Sequence, residues 1–163
     1  MTARGSHSCT PPNRRPAFQR VEGSASWIAQ RLALSDGKHV QLRGLIVDDS
    51  DTFLTSASRL LQSQGVEIVG IATSTAEALE LAVASSPDLA LVDVELGEED
   101  GLALAKKLRS HSPATRVIMI STYDRDQMQG LIAASSAVGF LPKSRLSGDA
   151  VRALVEGDQR SAR

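Results

Sequence analysis

At 163 residues, with 42% hydrophobic and 3% aromatic side chains, the chain can build one core of Leu, Val, Ile and Ala but not two ordinary domains. No apolar run approaches the roughly 18 residues of a membrane span, no apolar export segment opens the chain, and the lone Cys9 excludes a disulfide framework or thiolate metal site, so a cytoplasmic protein is expected. The net charge of -1 conceals an asymmetry: residues 1–40 hold six Lys/Arg against Glu22 and Asp36, which leaves an acidic body that does not suit a nucleic-acid backbone.

Residues 1–40 carry scattered basic side chains and three of the prolines, and read as a disordered or weakly ordered basic tail. Within it "SWIAQRLALS" has the spacing of a short helix, with Trp27, Ile28, Arg31 and Leu32 on one side, but is too short to stand alone. From Leu42 the pattern turns regular. Strand "LRGLIV" leads into a helix whose apolar positions are Phe53, Ala57, Leu60 and Leu61, ended by Gly65. Strand "VEIVGIA" follows, then a helix opened by Ser74 or Thr75 with Glu77 in its first turn, burying Leu79, Ala82 and Val83 and closed before Pro87.

The alternation continues through strand "LALVDV", a helix over 101–111 (Leu104, Ala105, Leu108), strand "RVIMIS", a helix over about 125–135 (Met128, Leu131, Ile132), strand "VGFLP" and a helix over about 147–157 (Ala150, Val151, Leu154). Near-continuous apolar strands alternating with helices predict a doubly wound α/β domain, a five-stranded parallel sheet with five helices, over residues 41–158, with 159–163 as a C-terminal stub.

Such folds gather function at the carboxyl ends of their strands. Asp48 and Asp49 end the first strand, Asp93 the third, Ser121 and Thr122 the fourth, and Pro142 and Lys143 the fifth. Each has a structural alternative as a helix cap, a turn former or a solvated side chain. On one rim together, three acids repel unless a cation sits among them. Carboxylates without His or Cys are hard oxygen ligands, suited to Mg²⁺ or Mn²⁺. A dication beside an amine and a hydroxyl is a place to hold a phosphoryl group.

The motifs "LIVDDS", "LALVDVELGEEDG", "VIMIST" and "GFLPKS", in that order, resemble the receiver domain of two-component response regulators over nearly all of residues 42–157. The spacings are similar too: 44 residues from Asp49 to Asp93, 22 from Ser121 to Lys143, and eight from Asp93 to Gly101. The resemblance implies a flavodoxin-like fold with strand order 2-1-3-4-5. It implies that Asp93 accepts a phosphoryl group from a histidine kinase or phosphotransfer protein. Asp49, Asp93 and the backbone carbonyl of Glu95 would hold Mg²⁺ (or Mn²⁺), with Asp48 acting mainly through water. Lys143 would pair with the phosphoryl oxygens, Ser121 would be the switch hydroxyl, and Phe140 the aromatic rotamer switch.

Departures from the family pattern are informative. Gly97, in an acidic "GEED" loop, stands where a proline is frequent, and Pro142 precedes Lys143 rather than following it, so no cis bond is expected after the lysine. Thr122 is bulkier than the usual Ala or Gly, and with Glu95 and Tyr123 it is expected to modulate phosphate lifetime.

Only "DQRSAR" follows the fifth helix, too little for a helix-turn-helix unit, so output is expected through a downstream protein or a homodimer formed by residues 125–157, without nucleic-acid binding by this chain. The alternative is the receiver part of a truncated DNA-binding transcriptional regulator, since "GFLPKSRLS" resembles receivers that precede such domains. A rival from another class is a Mg²⁺-dependent phosphatase of the haloacid-dehalogenase type. That chemistry wants a second Asp two residues beyond the nucleophile, where Glu95 stands, and the chain has no room for the usual cap insertion. Neither G-x-G-x-x-G nor a P-loop is present. The resemblance thus implies a signalling switch rather than a turnover enzyme.

Overall fold

The computed structural model describes residues 41–161. The expected basic tail and its short helix, and the last two residues, lie outside them. Five parallel strands form one sheet: β1 (Leu42–Val47), β2 (Val66–Ala72), β3 (Leu89–Asp93), β4 (Arg116–Ser121) and β5 (Gly139–Pro142). Their order is β2-β1-β3-β4-β5, as expected. The helices are α1 (Asp51–Ser63), α2 (Thr75–Ser85), α3 (Gly101–His111), α4 (Arg125–Ala134) and α5 (Gly148–Ser161). α5 runs to Ser161, so residues 159–161 extend a helix instead of forming part of a stub.

Strand alternation divides the core in two. Leu45, Val47, Ala90, Val92, Val117 and Met119 pack on one face against α2, α3 and Met128 of α4. Ile46, Leu89, Leu91, Ile118 and Ile120 pack on the other against α1 and α5. Both faces are covered, which is why these strands read as unbroken apolar runs. The chain moves outward from β1 to β2 and then crosses to β3 on the other side of β1. The carboxyl ends of β1 and β3 therefore flank the point where strand order reverses, the place where such sheets form a crevice.

Helix ends follow local chemistry. Ser50 caps α1 by accepting from Phe53 N at 3.3 Å, and Gly65 turns the chain at φ +79° after it. At α2, Ser74 accepts from Glu77 N while Glu77 reaches back to Thr73 N at 2.9 Å, the reciprocal cap expected from the sequence. Asp100 caps α3 through Leu102 N at 2.8 Å.

Three expected stripes need correction. In α1 the buried face is Leu54, Ala57, Ser58 and Leu61; Leu60 is exposed and Phe53 only half-buried. In α2 it is Ala78 and Ala82, with Leu79 half-buried and Val83 66% exposed. In α4 Met128 is buried, Ile132 partly so, and Leu131 is 46% exposed. In each case hydrophobicity at roughly helical spacing left the phase of the helix open by one residue, and the sheet contact set it. The α3 stripe of Leu104, Ala105 and Leu108 is buried as expected. Two small elements had no sequence signal: an antiparallel hairpin pairing Glu95–Leu96 with Glu99–Asp100, and a single 3₁₀ turn over Lys143–Arg145.

Leu91→Ala is expected to cost about 3 kcal/mol in urea unfolding, from lost burial plus the cavity left in the sheet. Val83→Ala should cost less than about 0.5 kcal/mol. Equal costs would return Val83 to the core.

Candidate functional site

Each rim residue is delivered by a strand end. Asp48 and Asp49 follow the last residue of β1, Asp93 closes β3, Ser121 closes β4, and Lys143 follows β5. Pairing holds these ends level: Val47 lies beside Val92, Asp93 beside Ile120, and Ser121 beside Pro142. One carboxylate oxygen each from Asp48, Asp49 and Asp93 lies within 4.8 Å of the others.

The three acids differ in setting. Asp48 is fully buried, and its Oδ1 accepts from Ser50 N at 2.9 Å. Its Oδ2 lies 2.6 Å from Lys143 Nζ and is held by that buried ion pair. Asp93 is buried; its Oδ1 accepts from Glu95 N at 3.3 Å and its Oδ2 from Lys143 Nζ at 2.7 Å. Asp49 is exposed at the mouth.

Lys143 thus bridges two buried carboxylates. Burial pulls its pKa down, but hydrogen bonds and charge from Asp48 and Asp93 together outweigh that, and the ammonium titrates above the usual lysine range. Asp93 shifts upward. Desolvation raises it, the Lys143 hydrogen bond and charge oppose, and the charge of Asp48 adds to the rise. Raised acid pKa means that stability is lost as pH rises from the ordinary carboxylate range through the folded-state value of Asp93, a loss that a bound cation would offset.

One ammonium against three carboxylates leaves negative charge in excess. The donor set is all oxygen, and Asp49 opens to solvent. These features fit a hard divalent cation such as Mg²⁺ or Mn²⁺ and do not fit zinc.

The other expected residues fall on or near this rim. Ser121 is buried and its Oγ accepts from Tyr123 N at 3.1 Å, while Thr122 and Tyr123 are exposed just beyond it. Glu95 is exposed in the first strand of the hairpin. Phe140 is not on the rim: it pairs with Met119 in the sheet and is buried in the same core cluster as Met128 of α4. Among the described residues every peptide bond is trans, including the one after Lys143.

Sequence reasoning missed two supports. The Phe53 ring, assigned above to a core stripe, lies 4.5 Å from Lys143 Nζ and gives the ammonium a cation–π contact. Gly101 was noted only for its spacing. A Cβ there would stand 1.8 Å from the Asp93 carbonyl oxygen, so only glycine lets α3 start beneath the β3 end.

Comparison with known proteins gives this geometry its context. The sequence profile of the response regulator receiver domain matches residues 45–155. A "Probable transcriptional regulatory protein NarL" of Mycobacterium tuberculosis is 33% identical over 124 residues, covering 76% of this chain and 57% of that protein. A protein-glutamate methylesterase/protein-glutamine glutaminase of Geobacter sulfurreducens is 35% identical over 120 residues, 71% of this chain and 33% of that protein. Among solved structures, the signal receiver domain of NarL from Mycobacterium tuberculosis superposes with a TM-score of 0.63 at 33% identity, covering 73% of this chain and 97% of that one. The chain therefore spans 57% of the length of the first relative and 33% of the second.

At Mg²⁺ near 100 times its dissociation constant, linkage adds about 2.7 kcal/mol, a rise in melting temperature of roughly 10 °C. Asp49→Asn, an exposed position, should leave the metal-free melting point nearly unchanged and lose most of that rise. A rise of equal size in both proteins would remove Asp49 from the ligand set.

Proposed function

The chain belongs to the response regulator receiver domain family, and on that premise we propose that it takes a phosphoryl group from a histidine kinase or phosphotransfer protein onto Asp93 and thereby switches a protein-interaction surface. The observation that carries this is the Asp93 carboxylate at the end of β3, held by Glu95 N–H on one oxygen and facing Lys143 on the other, within a cluster of three acids.

The chain's own residues divide the work. The Asp93 carboxylate is the nucleophile: its oxygen bonds to phosphorus as the phosphohistidine N–P bond breaks, and the leaving imidazole keeps the bonding pair and takes up a proton from water. Lys143, already 2.7 Å from Asp93, pairs with phosphoryl oxygens. Asp49, Asp93 and the Glu95 carbonyl would hold Mg²⁺, with Asp48 acting mainly through water, and the ion would offset the charge of an anionic donor. Ser121 Oγ accepts a hydrogen bond and keeps its own proton available to donate to the phosphoryl group. Thr122 and Tyr123, exposed beside it, are placed to govern water access and so phosphate lifetime.

Receiver domains are signalling switches, and for this chain we assign no turnover chemistry beyond gain and loss of the phosphoryl group. The surface read out is α4–β5–α5, about residues 125–157, by a protein partner or a second copy. α4 is the helix with the lightest anchorage, since Met128 is the buried side chain among those described in it and Leu131 faces out. Phe140 lies under this surface and is the residue through which Ser121 would reach it. A cytoplasmic location belongs to the same proposal. A second reading, in which the receiver governs a DNA-binding output, draws on the transcriptional-regulator name of the NarL relative.

With a small acyl-phosphate donor and Mg²⁺, intact-protein mass spectrometry should show one phosphoryl group on the wild type and none on Asp93→Asn. Repeated turnover of a phosphomonoester, or undiminished labelling of the variant, would contradict the proposal.

A further inference from the structure

The hairpin that follows Asp93 cannot hold itself. It pairs only Glu95 with Asp100 and Leu96 with Glu99, too few residues for an independent ribbon. Yet it touches the acid cluster at several points. Glu95 N donates to Asp93 Oδ1, and Gly97 turns at φ +62° beside Asp49, where a Cβ would meet Asp49 Oδ2 at ordinary contact distance, 3.7 Å. Gly101, at its exit, donates to Val94 O at 3.2 Å beneath the Asp93 carbonyl. Glu95, Glu98, Glu99 and Asp100 also crowd four acids into six residues beside three more, so the loop is under repulsion.

One contact opposes that repulsion from outside the loop. Glu99 Oε2 accepts from Thr75 N at 2.6 Å. Thr75 is the first residue of α2, where backbone N–H groups have no partner within the helix and the dipole favours an anion. The other caps of α2 are local, from Ser74 and Glu77; this one arrives from 24 residues away. It is a short charge-assisted bond, and although Glu99 is fully exposed, the Thr75 hydroxyl and N–H hold its carboxyl below the usual glutamate range.

We infer that Glu99 is a positioning residue for the metal-binding loop: by latching the Glu95–Asp100 hairpin to the N-terminus of α2, it holds Glu95 at Asp93 and Gly97 at Asp49. This rests on the reading of the acid cluster as a Mg²⁺ site. Affinity for the ion then depends on α2, an element that contributes no ligand.

Two substitutions break the latch from opposite sides. Glu99→Ala removes the acceptor. Thr75→Pro removes the donor N–H at the helix position where proline is tolerated, and Ser74 before it is already extended, at φ -142° and ψ 162°, as a residue preceding proline must be. Amide exchange of residues 96–101 in metal-free protein reads the latch itself; calorimetric titration with Mg²⁺ reads its consequence. Each variant should speed hairpin exchange and weaken Mg²⁺ binding by about tenfold. The double variant should be no worse than either single one, and Glu99→Gln, which keeps an acceptor oxygen, should recover part of the loss. Unchanged exchange, Mg²⁺ affinity unchanged despite faster exchange, or additive losses in the double variant would each overturn the inference. A wild-type chain that binds no Mg²⁺ would instead overturn the functional reading, while exchange alone would still report whether Glu99 holds the hairpin.

Discussion

The site depends on one ion-pair arrangement: a single ammonium, Lys143 Nζ, lying 2.6 Å from Asp48 Oδ2 and 2.7 Å from Asp93 Oδ2. Two carboxylates buried this close would otherwise repel strongly enough to protonate one or to push the strand ends apart. Lys143 follows β5, at one edge of the sheet, and Asp48 follows β1, the strand next to β2 at the other edge. The pair therefore ties distant strand ends together across Asp93. Phe53 completes the arrangement from α1 by placing its ring 4.5 Å from the ammonium.

The balance is incomplete, and that is what makes it useful. The pair offsets part of the negative charge; exposed Asp49 and the remaining excess of carboxylate charge leave a place for a dication. Under the proposed function, a phosphoryl group on Asp93 would let the same lysine turn from carboxylate to phosphoryl oxygens without a new charge being brought in. The fold gives this economy its geometry. Parallel strands in near-level register bring four strand ends to one rim, and Gly101 lets α3 begin directly under the Asp93 carbonyl.

Much of this was legible in the sequence because two periodicities are strong. The boundaries of β1, β2, β4 and α3 fell where the apolar runs and glycines put them, and the rim residues followed from which side chains end each strand. What was not legible depended on tertiary phase. Val83 and Leu131 sit at helical spacing from buried neighbours, yet each lies about 100° from the residue that meets the sheet, an offset that spacing alone does not resolve. Phe53 does pack against the core, and periodicity could not reveal that its ring also meets an ammonium. The 95–100 hairpin was invisible for a different reason: it has no apolar alternation, and it forms around the left-handed Gly97 and the long-range Glu99–Thr75 bond.

The central claim is that Lys143 and Asp48 are energetically one unit, and a double-mutant cycle measures that directly. Lys143→Met, Asp48→Asn and the double variant would be unfolded in urea near neutral pH without divalent cations. Lys143→Met should cost roughly 3 kcal/mol by leaving a buried charge unpaired, and the double variant should cost clearly less than the sum of the single ones, with a coupling of about 2 kcal/mol. Additivity within about 0.5 kcal/mol would mean that the two charges do not depend on each other, and would contradict the account.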